Sequence, residues 1–159
     1  MYEHDLNDLV ILGIGNDSRG DDGLGWAFLD ALENNPDIKA QLLHRYQLQP
    51  EDADAIAQAK TVVFVDATKD KLEMGFHWES AMPERRPSVH SHWLPPSAVL
   101  GFCNEVFGHC PDAYILSIAG DQWELGQGLG PDAQKRLVAA LNFFQEWYKL
   151  HVSPRQLVP

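Results

Sequence analysis

The chain has 159 residues, 45% of them hydrophobic, and its 23 acidic against 12 basic residues give a formal net charge of -11. This length predicts a single domain over residues 1–159, with the core at about 9–150 and a loose tail at 152–159. The acidic balance argues against nucleic acid or an anionic membrane surface as a partner, because both bind clustered Lys and Arg.

Patterns typical of strands and helices alternate along the chain. Continuous apolar runs predict buried strands at 9–12, 61–65 and 113–118, and weaker patterns predict strands at 41–47 and 75–79. Apolar residues at helical spacing and favourably placed prolines predict helices at 23–33, 50–59, 95–107 and 131–151. This order predicts a single-domain α/β three-layer sandwich, in which helices cover both faces of a mostly parallel twisted sheet.

Acidic residues follow two of the predicted buried strands. The first strand leads into the glycine turn GIGNDSRGDDG, which places Asp21 and Asp22 at the start of a helix, and Asp66 follows TVVFV. Ligands of parallel sheets bind outside the carboxyl ends of the strands, so Asp22 and Asp66 are expected to face one crevice, beside the loop after Ile118. Two carboxylates there repel each other unless a cation or a proton lies between them. For Asp21 alone, capping of the helix is a sufficient explanation.

Histidine is the natural third ligand for a cation at this crevice. His90 and His92 lie in SVHSHW and point the same way if that stretch is extended, whereas the other five histidines are expected to have no special role. Two carboxylates and one imidazole with open positions suit a divalent transition metal such as Ni or Zn. A four-ligand structural zinc site is not indicated, because no cysteine lies at a suitable spacing.

Other catalytic and binding motifs find little support. The glycine turn matches GxGxxG only loosely, and acids at the helix start would repel a pyrophosphate, so a nucleotide-binding protein is a weak alternative. The sequence contains no GKS or GKT, no GxSxG and no HExxH. If the protein is a hydrolase, it therefore works through a metal. A zinc aminopeptidase is a further weak alternative, because the ligand set that a two-metal site needs is lacking.

Cysteine usage and the N-terminus predict the compartment. Cys103 and Cys110 form no CxxC pair, which favours reduced thiols, and neither a signal-like segment nor an apolar run of membrane-spanning length occurs. We therefore expect a cytoplasmic protein with no membrane partner. No exposed apolar stripe is evident, so a monomer is expected.

Four segments, in this order and spacing, resemble the [NiFe]-hydrogenase maturation proteases. They are GIGNDSRGDDGLG at 13–25, FVDAT at 64–68, SHWLPPSAVL at 91–100 and YILSIAGDQWELGQGLGP at 114–131. The resemblance runs from about Leu9 to about Tyr148. Its first motif is distinctive, because Gly-x-Gly-Asn is followed by paired acids.

The resemblance implies an endopeptidase that removes the C-terminal extension of a [NiFe]-hydrogenase large-subunit precursor after nickel insertion. Metal-binding and catalytic roles then fall on Asp22, Asp66 and His92, whereas His90 has no assigned counterpart. Some members carry Glu at the position of Asp22. The implied metal is Ni²⁺ supplied by the precursor, which is the recognition element; other divalent ions such as Zn²⁺ or Cd²⁺ are expected to occupy the site in vitro.

Two further expectations concern metal binding by the isolated protein and the alternative to a protease. Three ligands, two of them acids, hold a metal weakly, so the isolated protein is expected to be largely metal-free. The alternative to a protease is a non-catalytic nickel-binding chaperone for hydrogenase assembly that uses the same three residues.

Overall fold

Five strands form one sheet in the computed structural model, which describes residues 8–87 and 94–152. The strands are β1 (Leu9–Ile14), β2 (Gln41–Arg45), β3 (Thr61–Thr68), β4 (Phe76–Ala81) and β5 (Asp112–Ala119). Their order across the sheet is β2-β1-β3-β5-β4. Neighbours among β2, β1, β3 and β5 pair in parallel, and β4 pairs with β5 in the antiparallel direction at the edge. The predicted mostly parallel sheet is confirmed.

Helices cover both faces of this sheet. They are α1 (Leu24–Glu33), α2 (Asp52–Ile56), α3 (Pro96–Phe107) and α4 (Pro131–His151). A 3₁₀ turn, Gly20–Gly23, leads into α1. Three of the helices lie within two residues of their predicted bounds, whereas α2 is shorter than the predicted 50–59. The three-layer sandwich is confirmed: buried residues of α1 and α4 pack on one face, and those of α2 and α3 on the other.

Strand residues alternate between the two cores. In β1, Leu9 and Ile11 belong to the cluster on the α1 and α4 face, and Val10 and Leu12 to the cluster on the α2 and α3 face. Burial of each such side chain contributes about 1.5–3 kcal/mol, which explains why a continuous apolar run is needed in a strand covered on both sides. On the first face, Phe144 of α4 is fully buried and its ring lies 5.4 Å from that of Phe28.

The strand β3 is longer than predicted, because its ladder with β5 continues past the apolar run. Asp66 is paired with Ser117, and Thr68 with Ala119. The expectation that Asp66 follows the strand is therefore wrong: Asp66 lies within it. A backbone held on the ladder gives this carboxylate a fixed position at the carboxyl edge of the sheet.

Three other expectations concern the thiols, the tail and the membrane. Cys103 and Cys110 are free, as predicted. Residues 153–159 lie outside the described residues, and the prediction of a loose tail remains a prediction. Over 8–87 and 94–152, no helix combines the length and the apolar character that crossing a membrane requires.

Candidate functional site

The glycine turn after β1 folds back over Asp22. Gly15 has a φ of 141°, and a Cβ at this position would collide with the backbone carbonyl oxygen of Asp22. The amide of Asn16 donates to that carbonyl oxygen at 3.2 Å and to Oδ2 of Asp22 at 3.0 Å. The side chain of Asn16 in turn accepts the amide of Ser18 at 2.9 Å. Glycine is thus required here for the close approach that positions an acid.

Asp22 and Asp66 line one cleft at the carboxyl ends of β1 and β3. The cleft has a volume of about 250 Å³. It is lined by Ile14, Gly15, Asp22, Tyr46, Gln47, Leu48, Asp66, Leu94 and Pro96. The structure therefore brings together two of the three residues that the sequence singled out, although they are 44 positions apart in the chain.

Burial disfavours the charged form of both carboxylates. Loss of solvation raises the pKa of Asp66 from 3.8 to about 7; the amide of Ala67, 2.8 Å from Oδ1, opposes this shift, and the negative charge of Asp22 adds to it. Loss of solvation also raises the pKa of Asp22, against the amide of Asn16 and the positive charges of Arg19 and Lys69. A cation between the two groups would offset both the desolvation and the repulsion.

The oxygen atoms available at the cleft fit a divalent metal. One oxygen of Asp22 accepts the amide of Asn16, and one of Asp66 accepts the amide of Ala67. The other oxygen of each carboxylate has no hydrogen-bond donor in the described part of the chain, so each can serve as a ligand. Two oxygen ligands leave further positions for an imidazole or for groups of a bound substrate.

His90 and His92 lie in 88–93, outside the described residues, so the predicted imidazole ligand stays a prediction. The chain re-enters the described part at Leu94, and both Leu94 and Pro96 line the cleft. His92 is two positions before Leu94 in the sequence.

Asp21 has a role that the sequence pattern did not reveal. Its carboxylate is fully buried and accepts the amides of Asp121 (2.7 Å) and Gln122 (3.1 Å) on Oδ2 and that of Gly130 (2.9 Å) on Oδ1. The capping interpretation is wrong, since neither the 3₁₀ turn nor α1 has a side-chain cap. Through these hydrogen bonds, Asp21 instead connects the loop after β5 to the turn that carries Asp22.

Sequence reasoning also missed Tyr46, which lines the cleft and packs against a tryptophan of α1. Tyr46, with 69% of its surface exposed, lies against Trp26, their ring centroids 5.0 Å apart. The indole N–H of Trp26 donates to the carbonyl of Arg45 at 3.0 Å, which fixes the ring. Trp26 is not among the buried residues of α1, and Tyr46 follows the weakly patterned strand β2, so no periodic signal in the sequence brings the two rings together.

A second group of ligand-type side chains lies at the surface and does not line this cleft. It consists of Asp30, Glu33 and His44, whose ligand atoms all lie within 4.8 Å of one another. His44 Nε2 is 3.0 Å from Oδ1 of Asp30, and both acids are exposed. A solvated contact of this kind accounts for the group without a metal.

Comparison with solved structures connects this geometry to known proteins. A [NiFe] hydrogenase maturation protease, HycI from Thermococcus kodakarensis, is 26% identical with a TM-score of 0.68, over 90% of this chain and 93% of that chain. The chain resembles the [NiFe] hydrogenase maturation proteases in fold. This confirms the resemblance seen in the sequence motifs.

Two further solved structures show the same fold. The hydrogenase maturating endopeptidase HybD from E. coli is 19% identical with a TM-score of 0.66, over 89% of this chain and 92% of that chain. HybD from Thermococcus kodakarensis, a [NiFe] hydrogenase maturation protease, is 17% identical with a TM-score of 0.66, over 87% and 97%. No family model and no curated protein matches the sequence.

Proposed function

We propose that this chain is an endopeptidase that removes the C-terminal extension of a [NiFe]-hydrogenase large-subunit precursor after nickel has been inserted. The observation that carries the proposal is the pair of carboxylates, Asp22 and Asp66, in one cleft at the carboxyl edge of the sheet. The similarity to HycI over about nine-tenths of both chains supports the substrate class.

In this proposal the nickel belongs to the substrate. The precursor holds the ion, and Asp22, Asp66 and His92 complete its coordination when the precursor docks. The raised pKa values support this role, because two desolvated carboxylates gain most when a cation arrives with the substrate. A precursor without nickel would bring no such gain and would bind poorly, which makes the metal the recognition element.

Hydrolysis requires a water molecule and an acceptor for its proton. A carboxylate is an effective general base when its pKa lies near the working pH. Burial raises the pKa of Asp66 to about 7 in the absence of a cation, and a nickel ion bound to this carboxylate would lower that pKa again. The proton acceptor would therefore be whichever of Asp22 and Asp66 keeps an oxygen off the ion. The bound nickel would supply Lewis-acid polarisation, and the chain would hold the water and accept the proton. We place the protein in the cytoplasm as a monomer.

Incubation of the protein with nickel-loaded and nickel-free precursor tests the proposal. We expect the loaded precursor alone to be shortened, as seen by mass spectrometry of the large subunit. Asp22→Asn, Asp66→Asn and His92→Gln should each abolish cleavage while circular dichroism shows an intact fold. Asp17→Asn is the matched control, because Asp17 is an exposed acid in the same turn.

Each possible result of this experiment has a defined meaning. Full cleavage by one of the three variants would remove that residue from the proposal. Equal cleavage of both precursors would refute nickel recognition but retain the protease. Stable binding of the nickel-loaded precursor without shortening would instead favour the nickel-binding chaperone.

A further inference from the structure

A second cleft opens at the same edge of the sheet, on the side of β3 that faces β5. Its volume is about 450 Å³, larger than that of the cleft with Asp22 and Asp66. We call it the basic cleft; its lining residues are Lys69, Asp70, Lys71, Leu72, Ala119, Gly120, Asp121, Trp123 and Arg136. It is formed by the segments that follow β3 and β5 together with one side chain of α4.

The charged groups of this cleft leave a net positive charge in a strongly acidic protein. Three cations face two acids, so the sum is +1. Arg136 donates to Oδ2 of Asp121 at 2.8 Å and to the carbonyl of Ala119 at 3.0 Å. Arg136 and Asp121 therefore form an ion pair with each other. Lys69 and Lys71 make no ion pair within residues 8–87 and 94–152, and both are exposed.

The free donors match a carboxylate on an apolar stem. The ammonium of Lys69 lies over the ring of Trp123, 5.6 Å from its centroid. This cation–π contact holds the charge beside an apolar group and leaves the N–H donors of the ammonium for a carboxylate. A side chain of Asp or Glu offers both a carboxylate and methylene groups. A phosphate is matched less well, because Nη1 of the Arg136 guanidinium is already bonded to Ala119 and Asp121, and Asp121 pairs with the charge of this residue.

The two clefts are neighbours. The amide of Gly120, which lines the basic cleft, donates to the carbonyl of Thr68 at 2.9 Å, and Thr68 is two residues after Asp66 of the other cleft. Lys69 is three residues after Asp66, and its positive charge lowers the pKa of the Asp22 carboxyl. An extended polypeptide held at Asp22 and Asp66 can therefore continue along the sheet edge into the basic cleft.

We propose that the basic cleft binds an acidic side chain of the polypeptide substrate, close to the bond that is cleaved. Lys71 and Lys69 attract the carboxylate, and Trp123 contacts its methylene groups. This inference rests on the proposed function for the identity of the polypeptide. The attraction would select precursors by the charge of their extension, and it acts apart from the nickel.

A direct binding measurement tests the cleft without any precursor. The indole N–H signal of Trp123, assigned from the Trp123→Phe spectrum, is followed by NMR during titration with acetyl-Ala-Glu-Glu-Ala-amide. We expect a saturable shift, at least about fivefold weaker binding of the Gln-Gln peptide, and a similar loss in Lys71→Glu. Lys149→Glu, the same charge change at an exposed site in the last turn of α4, should bind like wild type.

Two outcomes of the titration would overturn the proposal. One is an equal response to the Glu-Glu and Gln-Gln peptides, which would show that charge is not recognised. The other is tighter binding of inorganic phosphate than of the Glu-Glu peptide, which would make this a general anion site.

Cleavage kinetics test the same residue in the complete reaction. Lys71→Glu should raise KM for the nickel-loaded precursor about three- to tenfold with kcat little changed, and Lys149→Glu should leave both unchanged. Lys71 is preferred to Lys69, whose charge also acts on Asp22. A precursor whose extension has Lys in place of its acidic residues should be cleaved poorly by wild type and better by Lys71→Glu.

The failures of the two proposals can be told apart. If wild type cleaves the precursor and Lys71→Glu does so with the same KM, the basic cleft is not a substrate site and the proposed function stands. If wild type cleaves nothing, the proposed function fails, and the peptide titration alone decides whether the cleft binds acidic side chains.

Discussion

Replacement of Asp66 by asparagine should stabilise the protein above neutral pH. In the folded chain burial raises the pKa of this carboxyl from 3.8 to about 7. Between these two values the folded state holds a proton that the unfolded state has released, so the stability of wild type falls as the pH rises through this window. Asparagine carries no charge at any pH and can still accept the amide of Ala67 through its oxygen.

The size of the effect follows from the shift. A difference of about 3 pK units corresponds to about 4 kcal/mol in full, of which about 2.5 kcal/mol develops between pH 5 and pH 8. Solvent reaches the cleft, and this screening lowers the expected effect. We therefore expect the advantage of Asp66→Asn over wild type to grow by about 1 to 2.5 kcal/mol from pH 5 to pH 8.

Urea unfolding of both proteins at the two pH values, with EDTA present to remove metal, measures this difference. Asp37→Asn is the control, because Asp37 is an exposed acid in the turn between α1 and β2. A difference between Asp66→Asn and wild type that is the same at pH 5 and pH 8 would refute the reasoning, since it would mean that Asp66 is charged in the folded state throughout this range. The reasoning would also be refuted if Asp37→Asn showed the same pH-dependent gain in stability, because the effect would then come from the change in net charge.

Three further substitutions probe the supports of the site and the core, each by urea unfolding. Asp21→Asn should cost about 1–3 kcal/mol, because its NH₂ group would face a backbone amide that now donates to the carboxylate; an unchanged midpoint would contradict this role. Gly15→Ala should cost about 2 kcal/mol or more through its φ of 141° and the collision with Asp22, and a loss below half of that would show that the turn relaxes. Phe144→Ala should cost about 3–5 kcal/mol, as expected for a fully buried aromatic, and a much smaller loss would indicate that the face against α1 is loosely packed.

Local pattern was sufficient for most of the fold. The buried strands and the long helices were predicted because apolar runs and helical spacing are properties of neighbouring residues. The meeting of Asp22 and Asp66 also followed from the sequence, through the general rule that parallel strands end at one edge. The end of β3 could not be predicted from the sequence, since the strand extends through Asp66 only because β5 lies beside it.

By itself, then, the sequence determined an α/β sandwich with acids at the carboxyl edge, because hydrophobic periodicity and the alternation of strands with helices are properties of consecutive residues. Only the tertiary structure decided what surrounds those acids. Asp21 is bonded to amides about 100 positions away, and Lys69 lies beside Trp123, contacts that no local spacing encodes. The raised pKa of Asp66 has the same origin, since desolvation depends on everything packed around a group rather than on its neighbours in the chain.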